Sequence, residues 1–215
     1  MCGRFVVETP RAQLARIFSA NIDPSLNSPD RANWNITPTS PIHTVYATED
    51  GSTTITQMRW GLQPSWANKP IINARCETLD SRPFFQKTLR CIVPANGFYE
   101  FKRSSPSSKP EPFYFTNPDG SILAFAGVFQ LEPGNTGGSA IIITCAANSD
   151  MISVHDRMPV LLAQDSWESW LNPLISTSEA QPMLVVPPDG SLKSFPVSMA
   201  VNKSSNNYRE LINRI

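Results

Sequence analysis

The sequence is poor in the residues on which many functions depend. It has two histidines, His43 and His155, and four cysteines at 2, 76, 91 and 145, with no CxxC pair and no Cys/His cluster. A metal site is therefore not expected. Charged residues make up only 17% of the chain, and 18 Lys+Arg balance 18 Asp+Glu. With no net charge, any nucleic-acid binding must come from a local basic patch. No apolar run approaches the ~20 residues that cross a bilayer. The N-terminus lacks a basic segment followed by an apolar one, so no secretory signal is expected. An intracellular location follows (cytoplasm or nucleoid, or the nucleus of a eukaryote), with reduced thiols.

What the chain does have is proline, twenty in 215 residues, which argues against long helices. The length suits one full core. Thr9-Pro10 reads as the start of a helix carrying Leu14, Ile17 and Phe18. Residues 20–34 read as loop. Ile42–Tyr46 and Thr53–Trp60 read as strands around the turn Glu49-Asp50-Gly51. Pro83–Leu89 is expected to be a short helix. Cys91–Val93 and Phe98–Lys102 are expected as strands joined at Pro94-Ala95-Asn96-Gly97. Residues 104–112 read as a mobile surface loop. Phe113–Thr116 and Leu123–Phe129 read as a hairpin across Asn117-Pro118-Asp119-Gly120. Gly134–Gly138 is another turn, and Ala140–Cys145 a buried strand. Asp165-Ser166-Trp167-Glu168 resembles a capping box, and Met183–Val186 a last strand. The sum is one α+β domain over 1–215, with a curved or barrel-like, mainly antiparallel sheet and a few short helices.

Four features carry chemistry. Loss of Met1 would make Cys2 the terminal residue, with a thiol and a free α-amine together. These titrate near ~8.5 and ~7.7–8.0, so both are partly reactive at neutral pH. An aldehyde suits such a pair: the amine forms an imine, the thiol adds, and a thiazolidine closes. Glu100 lies in Gly97-Phe98-Tyr99-Glu100-Phe101, where strand alternation puts it on one face with Phe98. A carboxylate desolvated in this way suits a proton shuttle. His155 precedes Asp156 and Arg157, either of which could set its tautomer or charge. Arg4, Arg75, Arg82, Lys87 and Arg90, with Trp60 and Trp66, could form a basic groove with stacking platforms for single-stranded nucleic acid. Taken singly, each has a plain structural explanation.

Together they form an ordered series. It runs Met1-Cys2-Gly3-Arg4-Phe5, Asn35-Ile36-Thr37-Pro38-Thr39, Met58-Arg59-Trp60-Gly61-Leu62, Pro64-Ser65-Trp66, Asn73-Ala74-Arg75, Val93-Pro94-Ala95-Asn96-Gly97-Phe98-Tyr99-Glu100, Ala124-Phe125-Ala126-Gly127 and His155-Asp156-Arg157-Met158-Pro159. Over nearly the whole chain this resembles the SOS-response-associated peptidase (SRAP) family of abasic-site shielding proteins. The resemblance implies DNA repair: a thiazolidine crosslink between Cys2 and the aldehyde of an abasic site in single-stranded DNA, open to reversal, without cofactor or metal. It implies that Asn73 holds the reacting terminus, Glu100 moves protons, and His155 assists sugar ring opening and crosslink release. It places Arg4, Arg75 and Arg82 on phosphates, Pro38 and Trp66 in an apolar wedge under flanking bases, and Thr144 near the site. Single-stranded DNA is the implied partner, with no membrane, and a monomer is expected. Two positions depart from the family's usual residues: Cys76 stands where Ala is common, and Phe101 where Trp is common. Two other classes remain open. One is a cysteine peptidase with Cys2 as nucleophile and His155 as base, removing Met1. The other is a non-catalytic single-strand binder.

Overall fold

The computed structural model describes residues 2–103, 105, 109–132 and 137–215. One sheet is built from β1 (Phe5–Val7), β3 (Asn33–Ile36), β8 (Gly97–Lys102), β9 (Glu111–Thr116) and β13 (Lys193–Pro196). Its order is β13-β9-β8-β1-β3, antiparallel throughout, so the N-terminal strand lies inside the sheet. The other sheet contains β2 (Asn21–Ile22), β4 (Pro41–Ala47), β5 (Thr53–Trp60), β7 (Leu89–Ala95), β10 (Leu123–Leu131), β11 (Gly138–Ala146) and β12 (Arg157–Pro159), with β6 (Asn73–Arg75) against β11.

The second sheet closes on itself. Antiparallel pairs run β11-β10-β7-β4-β5, and β5 returns to β11 by a short parallel pairing, Ser139↔Arg59 and Ala140↔Trp60. Further along the same edge, β11 pairs in parallel with β6, Ile142↔Asn73 to Thr144↔Arg75. The barrel-like, mainly antiparallel α+β expectation therefore holds. Strands β10 and β11 are buried on both faces, which accounts for their unbroken apolar runs. Val45, Ile55, Trp60, Val93, Phe125, Phe129 and Ile141 belong to this core. The first sheet has a second, smaller core on its other face, where Val6, Tyr99 and Tyr114 meet Val197, Val201 and Leu211.

Several local expectations are corrected. The turn at Asn117–Gly120 does not make a hairpin, and at Pro94–Gly97 only Asn96 lies between strands, with Pro94 and Ala95 in β7 and Gly97 in β8. Each carries the chain from one sheet to the other: β7 and β10 lie in the barrel, β8 and β9 in the five-stranded sheet. The first crossing is fixed by Asn96, whose side chain accepts from the backbone N–H groups of Glu8 and Thr9 and donates to the Thr9 hydroxyl. That engagement takes Thr9 away from helix capping, so α1 (Arg11–Ile17) begins behind Pro10 without a side-chain cap. Gly97 is required there, because a Cβ would lie 2.4 Å from the Tyr114 ring and 2.5 Å from the Phe115 carbonyl oxygen.

Residues 20–34 are not all loop, since they contain β2 and the start of β3. Pro83–Leu89 yields only a single turn of 3-10 helix, Phe85–Lys87, before β7 begins. No strand forms at Met183–Val186: Gln181–Met183 is a 3-10 turn, and Pro182, Pro187 and Pro188 remove ladder donors around it. The last strand is β13 instead. Asp165 caps nothing in front of α2 (Trp167–Leu171). The capping box is Ser176 with Glu179, opening α3 (Thr177–Ala180). The 104–112 loop is a β8–β9 connection that ends at Glu111; residues 104 and 106–108 lie outside the described residues, as do residues 134–136 of the Gly134–Gly138 turn.

Candidate active site

Strand β1 is held between two neighbours, with Phe5 opposite Phe98 on one side and Ile36 on the other. Edge-on contacts of the Phe5 ring with Trp60 (5.0 Å) and Phe125 (6.0 Å) anchor it to the barrel core. The chain just before β1 is fixed as a result. Cys2 is wholly buried. The Asn73 side-chain amide donates to the Cys2 carbonyl oxygen at 2.8 Å. Asn73 Oδ1 is buried and has no hydrogen-bond partner among the described residues. Glu100 is 3% exposed, on the β8 face that carries Phe98, as alternation predicts. Burial, and after it the neighbouring Glu100 carboxylate, push the Cys2 thiol well above its ordinary range, while a hydrogen bond from the Arg4 backbone N–H pulls the other way. The thiol is therefore neutral, with a carboxylate beside it. Met1 lies outside the described residues.

A second group is reached through β11. Thr144 is buried, opposite Arg75 on β6 and Pro159 on β12, and its hydroxyl donates to the Ala74 carbonyl oxygen at 3.3 Å. Arg157 donates from Nη2 to the Thr144 carbonyl oxygen at 2.6 Å. It also grips Glu77 through two N–H···O bonds of 2.5 and 2.9 Å. The Arg157 pairing holds the Glu77 carboxyl down at about 2. The backbone N–H of Arg157 points at His155 Nδ1 from 2.9 Å, and Asp156 Oδ1 lies 3.0 Å from the same nitrogen. Burial also raises the Cys76 thiol next to Glu77, so the second thiol near the site is protonated. Glu77 was not singled out from sequence. Its one signal was its place right after Asn73-Ala74-Arg75-Cys76, within a family motif.

The basic and aromatic residues divide. Arg75 and Arg82 are exposed. Trp66 is 66% exposed, on an excursion closed by the Leu62–Ile71 bridge, and packs edge-on against Phe84 at 5.7 Å. Pro38 is half-buried in a turn where the Ser40 N–H donates to the Thr37 carbonyl oxygen at 3.2 Å. In that turn Thr39 has φ +71°, a conformation that costs a β-branched residue about 1–3 kcal/mol. Arg4 is half-buried, with Nη1 committed to Asn35 Oδ1 and the Val201 carbonyl oxygen. Arg90 holds the carbonyl oxygens of Trp170, Asn172 and Ile175, and Trp60 is fully buried core; neither belongs to an exposed groove. A cleft of about 530 Å³ near Thr9, Gln13 and Trp167 contains none of the predicted site residues. Cys2, Asn73 and Glu100 gather instead where the chain before β1, β6 and β8 meet.

The curled β-fold thus encloses a thiol at the second residue, with the Asn73 amide on its carbonyl oxygen and the Glu100 carboxyl group beside it. The chain belongs to the SOS response associated peptidase (SRAP) family, whose model matches residues 1–204. It is 36% identical to the abasic site processing protein YoqW of Bacillus subtilis, covering 99% of each chain. It is 28% identical to the abasic site processing protein YedK of Escherichia coli, again over 99% of each. A solved structure of a Bacteroides thetaiotaomicron protein shares the fold, with TM-score 0.84 over 100% of both chains at 21% identity.

Proposed function

We propose that this protein processes abasic sites in single-stranded DNA by linking to them covalently through Cys2. The observation that carries the reading is the enclosure of Cys2 between Asn73 and Glu100. Once Met1 is removed, the Cys2 amine attacks the open-chain sugar aldehyde. Glu100 takes a proton from the attacking nitrogen and delivers it to the carbinolamine oxygen, which leaves as water to give an imine. The neutral thiol then adds to the imine carbon. Its proton moves by way of Glu100 to the nitrogen, and a thiazolidine closes; one water is released overall. Asn73 Oδ1 is an acceptor for the amine N–H, orienting it without competing as a base. His155 moves protons at the sugar oxygen in ring opening and in release of the link. Arg75 and Arg82, with the remaining N–H groups of Arg4, hold phosphates by their planar forks. Pro38 and Trp66 wedge beneath flanking bases, and Thr144 lines the sugar side.

A cysteine peptidase with His155 as base is the competing reading. Such enzymes depend on a lowered thiol pKa, whereas burial and Glu100 raise that of Cys2. The distinguishing experiment combines intact mass with adduct formation. Protein lacking Met1 is expected to give a denaturant-resistant adduct with an abasic oligonucleotide, and Cys2→Ala none. An equal adduct from protein that retains Met1 would falsify the mechanism, since its α-amine is blocked. Salt-sensitive binding of intact single strands without any adduct would leave only a binding role.

A further inference from the structure

We propose that Glu77 is a positioning residue for His155, acting through Arg157. The inference rests on the reading that His155 moves protons at the sugar. Among the described residues, Arg157 and Asp156 compete for Nδ1 of His155. The Arg157 backbone N–H points at it from 2.9 Å, and Asp156 Oδ1 lies 3.0 Å away. A neutral ring nitrogen either accepts or donates in its plane, so only one of the two is satisfied at a time. Accepting from Arg157 leaves the proton on Nε2 and makes that nitrogen a donor. Donating to Asp156 moves the proton to Nδ1 and makes Nε2 an acceptor. The two arrangements present opposite polarity to a substrate.

The fork between Glu77 and Arg157 decides between them. Arg157 is the first residue of β12, a strand of three residues, and pairs with Ala146 at the end of its ladder. Its guanidinium ties that end to the turn after β6 through both Glu77 oxygens, and to β11 through the Thr144 carbonyl oxygen. The Asp156 side chain is 81% exposed, and the Asp156 backbone carbonyl oxygen is held by the Ala147 N–H at 3.0 Å. Without Glu77, the Arg157 guanidinium loses its bidentate partner and the strand end loosens. Asp156 then competes for Nδ1. Glu77 touches neither Cys2 nor Glu100 in this chain of contacts, so its influence falls on the step that His155 serves.

The test is ¹⁵N NMR of the imidazoles in the full chain at a pH where they are neutral; with only two histidines, a His43→Gln variant assigns both. Wild type is expected to show His155 with the proton on Nε2, and Glu77→Gln to show a substantial Nδ1–H population. Adding Asp156→Asn to Glu77→Gln removes the competing carboxylate and restores the Nε2–H form. Release of a preformed abasic-site adduct is expected to slow about tenfold in Glu77→Gln, a part of the ~10²–10⁴ that a positioned general acid supplies, while formation changes less than about twofold. Should Glu77→Gln not fold, Arg157→Lys, which keeps the charge and loses the fork, is read in the same way. An unchanged His155 tautomer in the folded variant overturns the inference. Failure of wild type to form any adduct overturns the DNA reading instead, and the tautomer measurement still decides the positioning role.

Discussion

Cys2 and Cys91 are both wholly buried thiols, yet they sit in regions built for different ends. Cys91 lies in the barrel wall opposite Gly127, where a Cβ on the glycine would come within 2.9 Å of its sulfur. Burial alone raises its thiol, and its carbonyl oxygen accepts from the Trp170 indole at 2.8 Å. Around Cys2 the polar groups do more than satisfy the backbone. The Glu100 carboxyl group stands beside the thiol, and the Asn73 amide oxygen has no hydrogen-bond partner among the described residues. Enclosure is common to both, so it marks neither as reactive. The Glu100 carboxyl group beside it is what distinguishes the first from the second.

The sharpest break of the comparison is the pair of alanine variants. Cys2→Ala is expected to abolish the stable adduct, and Cys91→Ala to retain it; loss of adduct in both would dissolve the distinction. Next, Glu100→Gln keeps the shape and removes the base, and adduct formation is expected to slow by about 10²-fold or more, followed by quenched time courses. An unchanged rate would reduce Glu100 to a packing residue.

A third buried group extends the contrast to stability. His43 is 8% exposed, and burial, with Arg11 as the next cause, lowers its pKa from 6.5 to about 4. The unfolded chain therefore binds the extra proton between those values. The stabilisation is complete above pH 6.5 and is lost as pH falls through 4, amounting to about 3 kcal/mol. Denaturant titrations across that range should show this slope, and His43→Gln should flatten it. Gly127→Ala presses a methyl against Cys91 and the Ile141 carbonyl oxygen and should destabilise by about 1–3 kcal/mol. The smallest effect is on the stability of Cys91→Ala, about 1 kcal/mol of lost packing. Urea midpoints decide both.

Alternation along Gly97–Phe101 was enough to place Glu100 with Phe98, because a strand's period of two survives whatever it packs against. The turn at Asn117–Gly120 was equally legible as a turn, with Gly120 at φ +79°. Its chemistry says that the chain reverses, not which sheet receives it, so the expected hairpin became a crossing. Barrel closure had no local signal at all: β5 and β11 meet through two parallel residue pairs, Ser139↔Arg59 and Ala140↔Trp60. The same holds for Glu77 and Arg157, 80 residues apart. Trp60 and Trp66 looked alike in sequence, yet one is core and the other is exposed. Trp60 ends β5 against Phe5, with its indole donating to the Ile72 carbonyl oxygen, whereas Trp66 lies on the excursion closed by the Leu62–Ile71 bridge.

Chain termini are ordinarily where conformational freedom is greatest. Here the strand that follows Cys2 is paired on both flanks and its Phe5 ring is wedged into the barrel. The entropy of fixing Cys2 is thus lost when the sheet forms. On the mechanism proposed above, the amine and thiol would then meet an aldehyde as though at a high effective molarity. Mutations that loosen the β1–β8 pairing would slow the reaction without removing a single reacting group.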